Sequence, residues 1–214
     1  MPAIFPRWTN NIPLAIAILG PIFGAGLIGG VWYYFSPKFT DVGYRPIQPV
    51  PFSHKLHAGD MGMDCRYCHN TVERAPHAAI PPTATCMNCH SQVKTDSPKL
   101  ALVRESYESG ASIPWIRIHQ LPDYAYFDHR PHLAAGVGCS TCHGRIDQMT
   151  VVQMDQPLSM SWCLDCHRNP EPNLRPLDQI TNMDWNTAVE SYDPKSDGRK
   201  RELTPPEHCS GCHR

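Results

Sequence analysis

The sequence predicts a mainly α-helical chain with extensive irregular loops, in which one amino-terminal transmembrane helix precedes a cysteine-rich domain built from two related halves. Three observations predict this. Residues 12–35 form an uncharged run. All ten cysteines fall into CxxC pairs, each followed at once by histidine. A Phe-x-His-x-x-His element occurs twice, each time ahead of two such motifs.

The uncharged run reads IPLAIAILGPIFGAGLIGGVWYYF. As a helix its 24 residues extend about 36 Å, enough to cross a bilayer. Trp32, Tyr33, Tyr34 and Phe35 close it as an interfacial aromatic belt would, and Trp8 stands at the other end. The run is longer than the apolar region of a signal peptide, and no A-x-A-like cleavage site follows, so it reads as a retained anchor. Gly20-x-x-x-Gly24 and Gly26-x-x-x-Gly30 place small residues at helical spacing, which suits close packing against other membrane helices. Pro21 is expected to kink the helix. Residues 1–11 are expected to form a short cytoplasmic amino terminus, and 36–51 read as an extended, proline-punctuated linker.

The rest of the chain is polar and loop-prone, with 22 prolines in the whole sequence, and would not build a large core from side chains alone. The formal charge of −1 offers no basic face, so nucleic acid is excluded as a partner.

The five motifs are Cys65-Arg-Tyr-Cys68-His69, Cys86-Met-Asn-Cys89-His90, Cys139-Ser-Thr-Cys142-His143, Cys163-Leu-Asp-Cys166-His167 and Cys209-Ser-Gly-Cys212-His213. This is the attachment pattern of haem c: two thiols reach the two vinyl groups, and the adjacent histidine becomes the proximal iron ligand. Zinc ribbons use paired CxxC but do not require the histidine. Histidine is 12 of 214 residues. Five in five by chance is on the order of one in a million. No cysteine is left over for a redox dithiol. The expected cofactors are five covalently bound haems c. Because haem c is attached outside the cytoplasm, the domain is expected on the outer face of the bacterial inner membrane, with the amino terminus inside.

The first repeat runs Phe52-Ser53-His54-Lys55-Leu56-His57-Ala58-Gly59 and leads to Cys65; the second runs Phe127-Asp128-His129-Arg130-Pro131-His132, then Ala135-Gly136, and leads to Cys139. Residues 52–126 therefore read as a first half holding sites one and two, and 127–214 as a second half holding sites three to five. Short helices are expected to carry the motifs, with little sheet. Seven histidines outside the motifs are available as sixth ligands: His54, His57, His77, His119, His129, His132 and His208. The repeated pairs are the leading distal ligands. His119 and His77 are further candidates, as are Met154 and Met160 ahead of Cys163, since a Met/His pair raises the potential. His208 directly precedes Cys209 and reads as structural.

The Phe-x-His-x-x-His element followed by CxxCH resembles the class III multihaem cytochromes, the c3 and c7 proteins. That resemblance implies that His54 serves site one and His129 site three, while His57 and His132 ligate other haems. Saturated iron favours electron transfer over catalysis at an open haem, and no catalytic residues are expected.

FSHKLHAG, CRYCHNTVE, IPPTATCMNCH, WIRIHQLPDYAYFDHRPH, GVGCSTCHGRIDQM and LSMSWCLDCHRNPE together, behind the anchor, are similar to the pentahaem cytochrome c subunit of bacterial alternative complex III. This resemblance implies a quinol-oxidising complex. Its other members are polytopic quinol-binding subunits and an iron–sulfur subunit resembling molybdopterin oxidoreductases. The electron acceptor is a monohaem cytochrome c or a terminal oxidase.

Overall fold

The computed structural model describes residues 4–185, 192 and 203–214. The chain divides into two units, one ending at Asp41 and one spanning Val42–Arg214. Among the described residues there is no β-strand; only two isolated antiparallel bridges occur, Ala125 with His213 and Val137 with Leu174.

In the first unit, helix α1 (Ile12–Tyr34) runs through Pro21. A 3-10 turn at Arg7–Asn11 precedes it. Arg7–Tyr34 is long and apolar enough to cross a membrane. Its large apolar side chains, among them Leu14, Leu19, Phe23 and Ile28, are exposed all round, as lipid contact requires. The stretch expected to be extended instead begins with a one-turn helix, α2 (Pro37–Thr40). Pro37 occupies the first helical position, where its fixed φ starts a turn at no hydrogen-bond cost. Phe39 packs its ring on Tyr34, centroid to centroid 4.7 Å.

The second unit is a string of short helices: α3 (Cys65–Cys68), α4 (Thr83–His90), α5 (Ala101–Ser109), α6 (His129–Ala135), α7 (Cys139–His143), α8 (Met160–Arg168) and α9 (Cys209–Cys212). Of the longer connection ahead of α9, residues 186–191 and 193–202 lie outside the described residues. One small apolar cluster helps hold the helices. Val50, Val103 and Ile113 are buried between α4, α5 and the flanking loops, with Met87, Leu100 and Trp115 against them. Leu133 of α6 is buried, as are Leu174 and Ile180 of the segment after α8. That segment is tied to α6 and α7 by backbone bonds from Arg175 N to the Gly136 carbonyl (2.9 Å) and from Cys139 N to the Ile180 carbonyl (3.0 Å). Helix α6 ends at Gly136, whose φ of +90° is open to glycine and costly for other residues.

Candidate haem sites

Every CxxCH motif forms one helical turn, on α3, α4, α7, α8 and α9. Residues i, i+3 and i+4 share a face of such a turn, so the two thiols and the histidine emerge together. Different devices start these turns. The Asp64 carboxylate accepts from Arg66 N at the head of α3 (2.8 Å). Ser159 Oγ accepts from Trp162 N at the head of α8 (3.4 Å).

None of the ten cysteines is in a disulfide; Cys89 and Cys209 are exposed and the other eight are half-buried. Cys65 and Cys139, the first thiols of motifs one and three, stand within electrostatic reach of each other. Burial, with Cys166 and Cys163 nearby, pushes the Cys142 thiol up to about 12. Among the described residues, no group of three or more His, Cys, Asp or Glu side chains is gathered to hold a metal ion directly. That geometry does not suit a zinc ribbon, which needs four ligands at one point.

The histidines follow one rule. The Nδ1–H groups of His69, His90, His167 and His213 donate to the carbonyls of Ala79 (2.7 Å), Val93 (3.0 Å), Pro206 (2.7 Å) and Tyr124 (3.0 Å). Those of His57, His129 and His132 donate to Ser53 (2.9 Å), Pro76 (2.7 Å) and Asp128 (2.7 Å). A carbonyl only accepts, so Nδ1 carries the proton and the Nε2 lone pair faces outward. This is the tautomer, and the supporting shell, of an imidazole that ligates a metal. His143 and His54 are exceptions: Nδ1 of His143 lies 3.2 Å from Nε2 of His119, and the buried Nδ1 of His54 has no protein partner. Burial, then the neighbouring His119, His129, His69 and His54, lower the His143 pKa to about 3. His54 is lowered to about 4, by burial first and then by His69 and His57. Both are held neutral, the form that binds iron.

Distal candidates meet proximal ones. Ring centroids are 6.3 Å apart for His57 and His90, 6.5 Å for His129 and His143, and 6.0 Å for His132 and His167. Two imidazoles on opposite sides of one iron, each bonded at about 2 Å, have ring centres roughly 6 Å apart. Two phenylalanines set the distal rings. Phe52 stacks on His57 (4.4 Å) and Phe127 lies tilted against His132 (4.6 Å).

The remaining candidates lie elsewhere. His77 and His208 are exposed. His119 sits edge-on to His143, centroids 4.3 Å apart. Met154 is buried, and its backbone pairs with Gly43 and Tyr44. Met160 is exposed at the start of α8. Sequence reasoning missed Arg175, a buried guanidinium that donates to Ser140 Oγ inside the third motif (3.1 Å) and to the Asn182 carbonyl (2.9 Å). Its one signal is Gly138: a Cβ there would run into the Arg175 guanidinium.

The residues present fit haem c: paired thiols on one helical face, and imidazoles held through Nδ1 and spaced in opposed pairs. Fold and site together define a multihaem c-type cytochrome, binding its haem covalently. The chain belongs to the family described as cytochrome c7 and related cytochrome c, whose sequence pattern matches residues 50–107 and 125–214. It is also similar to the multiheme cytochrome c subunit of menaquinone reductase from Nitratidesulfovibrio vulgaris, 30% identical over 188 residues, which are 87% of this chain and 75% of that protein.

Proposed function

We propose that this chain is a membrane-anchored pentahaem electron-transfer subunit of a quinone-linked respiratory complex, with the organisation of alternative complex III. The observation that carries this is the set of opposed histidine pairs, each ring fixed through Nδ1. Six-coordinate iron passes single electrons and leaves no position for substrate.

In this reading the ten cysteines, from Cys65 to Cys212, anchor five haems, and His69, His90, His143, His167 and His213 are the proximal ligands. His54 serves site one, His57 site two, His129 site three and His132 site four. Carbonyl acceptors keep the rings oriented, and the phenylalanines press on them. His119 holds His143 from behind instead of ligating iron. The fifth site, on His213, is where the expectation of a methionine ligand is tested: a methionine–iron charge-transfer band in magnetic circular dichroism supports it, and its absence removes it. Helix α1 anchors the chain, amino terminus inside, with residues 42–214 on the outer face, where haem c is attached. The partners are polytopic quinol-binding subunits, an iron–sulfur subunit, and a monohaem cytochrome c or terminal oxidase as acceptor.

The relative favours a second reading of direction. That protein is named for menaquinone reduction, which would send electrons from the haem domain toward quinone. Mild detergent extraction, purification through this chain and identification of the co-purifying subunits test the first reading. Polytopic and iron–sulfur partners with quinol-dependent cytochrome c reduction support it. The same partners with only quinone reduction support the second. A chain that emerges alone with five haems is a freestanding carrier.

A further inference from the structure

The order of the motifs along the chain differs from their order in space. Asn88, inside motif two, donates to the Tyr67 hydroxyl, inside motif one, at 3.2 Å. These two sites are side by side. Motif one also meets motif three, since the Cys65 and Cys139 thiols stand within electrostatic reach of each other. A second tie joins the same two. Asp64 accepts from Thr181 Oγ1 (2.9 Å), and the adjoining Ile180 carbonyl accepts from Cys139 N (3.0 Å).

Motif three adjoins motif four. His129 and His132 stand one turn apart on α6, and they face His143 and His167 respectively. Cys142 is also within electrostatic reach of Cys163 and Cys166. Motif four in turn adjoins motif five. His167 donates to the Pro206 carbonyl (2.7 Å), and Arg168 pairs with Glu207 (3.4 Å), just ahead of Cys209.

We infer that the five attachment sites form one unbranched row in the order two, one, three, four, five, so that the protein exchanges electrons with its partners at the two ends, around Cys89 and around Cys209. An independent observation agrees. Cys89 and Cys209 are the two exposed thiols of the ten, and they belong to the sites at the two ends. This row rests on the proposal that all five motifs carry haem.

The test uses the full-length holoprotein and begins with the haem count from intact mass. Fewer than five haems overturns the pentahaem reading and the row together. With five present, electron paramagnetic resonance of the oxidised protein reads which haems are magnetically coupled. Cys139→Ala with Cys142→Ala removes site three. The expected result is one haem fewer and two mutually isolated pairs. Cys209→Ala with Cys212→Ala removes an end, and the other four are expected to stay coupled as one group. A four-haem network that survives loss of site three, or breaks on loss of site five, overturns the order. Should these variants fail to fold, the wild type is probed with a soluble paramagnetic chelate that relaxes haems near the surface. His57→Met changes the signal of site two by exchanging its distal ligand. That signal is expected among those the chelate relaxes, and a site two insensitive to the chelate overturns the assignment of the ends.

Discussion

The two copies of Phe-x-His-x-x-His repeat their side-chain geometry on different backbones. Phe52 meets His54 edge-on at 4.9 Å and stacks on His57; Phe127 meets His129 edge-on at 4.8 Å and lies against His132 at a slightly larger tilt. In each copy the second histidine donates back to the carbonyl four residues earlier, Ser53 or Asp128. Yet the first copy winds as a π-turn (Lys55–Asp60), and the second is a regular α-helix, α6. The first histidines also differ. His129 donates to the Pro76 carbonyl, while the buried Nδ1 of His54 has no protein partner. The local motif thus dictates how phenylalanine orients the imidazoles, and the surroundings decide the winding and the anchoring of the first ring.

The helix starts of the motifs that follow differ more. Asp64 caps α3, whereas Gly138 heads α7 with no side-chain cap and lies under the Arg175 guanidinium. Gly138→Ala should give the largest effect among these predictions. The new methyl displaces a buried cation from Ser140 and Asn182, at a cost of about 3 kcal/mol. Denaturant unfolding of the holoprotein, followed by haem absorbance, reads it. A cost near zero would mean that Arg175 swings aside freely, and that the two helix starts are equivalent.

Phe52→Ala and Phe127→Ala should each cost about 2 kcal/mol, below the range for fully buried phenylalanine because both rings are only half-buried. Both should also shift the g-values of one haem, since a ligand ring loses its stop. Matching effects sharpen the equivalence of the copies; a large cost on one side alone breaks it.

The glycines that close the two turns separate backbone strain from crowding. Gly136 has φ +90°, and a Cβ on Gly59 would strike the Asp147 carbonyl. Alanine at either should cost about 1–2 kcal/mol. Asparagine tolerates the left-handed region, so Gly136→Asn should recover part of the loss and Gly59→Asn none. Equal behaviour of the two asparagine variants in the same unfolding assay would count against this division.

The fold class was legible because its determinants are local. One uncharged run gives α1, and i, i+3, i+4 spacing gives each motif its helical turn. The opposed pairs were legible in part, since the repeat placed His54, His57, His129 and His132 ahead of the motifs. The acceptors for Nδ1 were not. Ala79, Pro76, Pro206 and Tyr124 contribute only carbonyls, which every residue has, so no residue type marks them. Arg175 was invisible for a related reason: an arginine in sequence reads as surface, and only packing over Gly138 shows it buried. The α2 turn escaped because Pro37 was weighed as a breaker, although at a first helical position it begins a turn.

The smallest effect concerns pH. The Arg66 hydrogen bond, outweighing partial burial, lowers the Asp64 carboxyl from 3.8 to about 2, with Thr181 assisting. Asp128 is lowered to about 2 by Arg130, within its own turn. A carboxylate held low in the folded state stabilises above its unfolded value near 3.8, and that contribution fades as pH falls toward 2. Asp64→Asn should therefore cost about 1 kcal/mol at neutral pH, discounted because the pair is largely exposed, and almost nothing near pH 2. Asp128→Asn should lose less at neutral pH, because the Asp128 bonds stay inside α6 while Asp64 also ties α3 to Thr181, more than a hundred residues away in sequence. Thermal unfolding of the three holoproteins at both pH values reads the difference. An Asp64→Asn penalty that persists at pH 2 would show that the side chain, not its charge, holds the start of the first site.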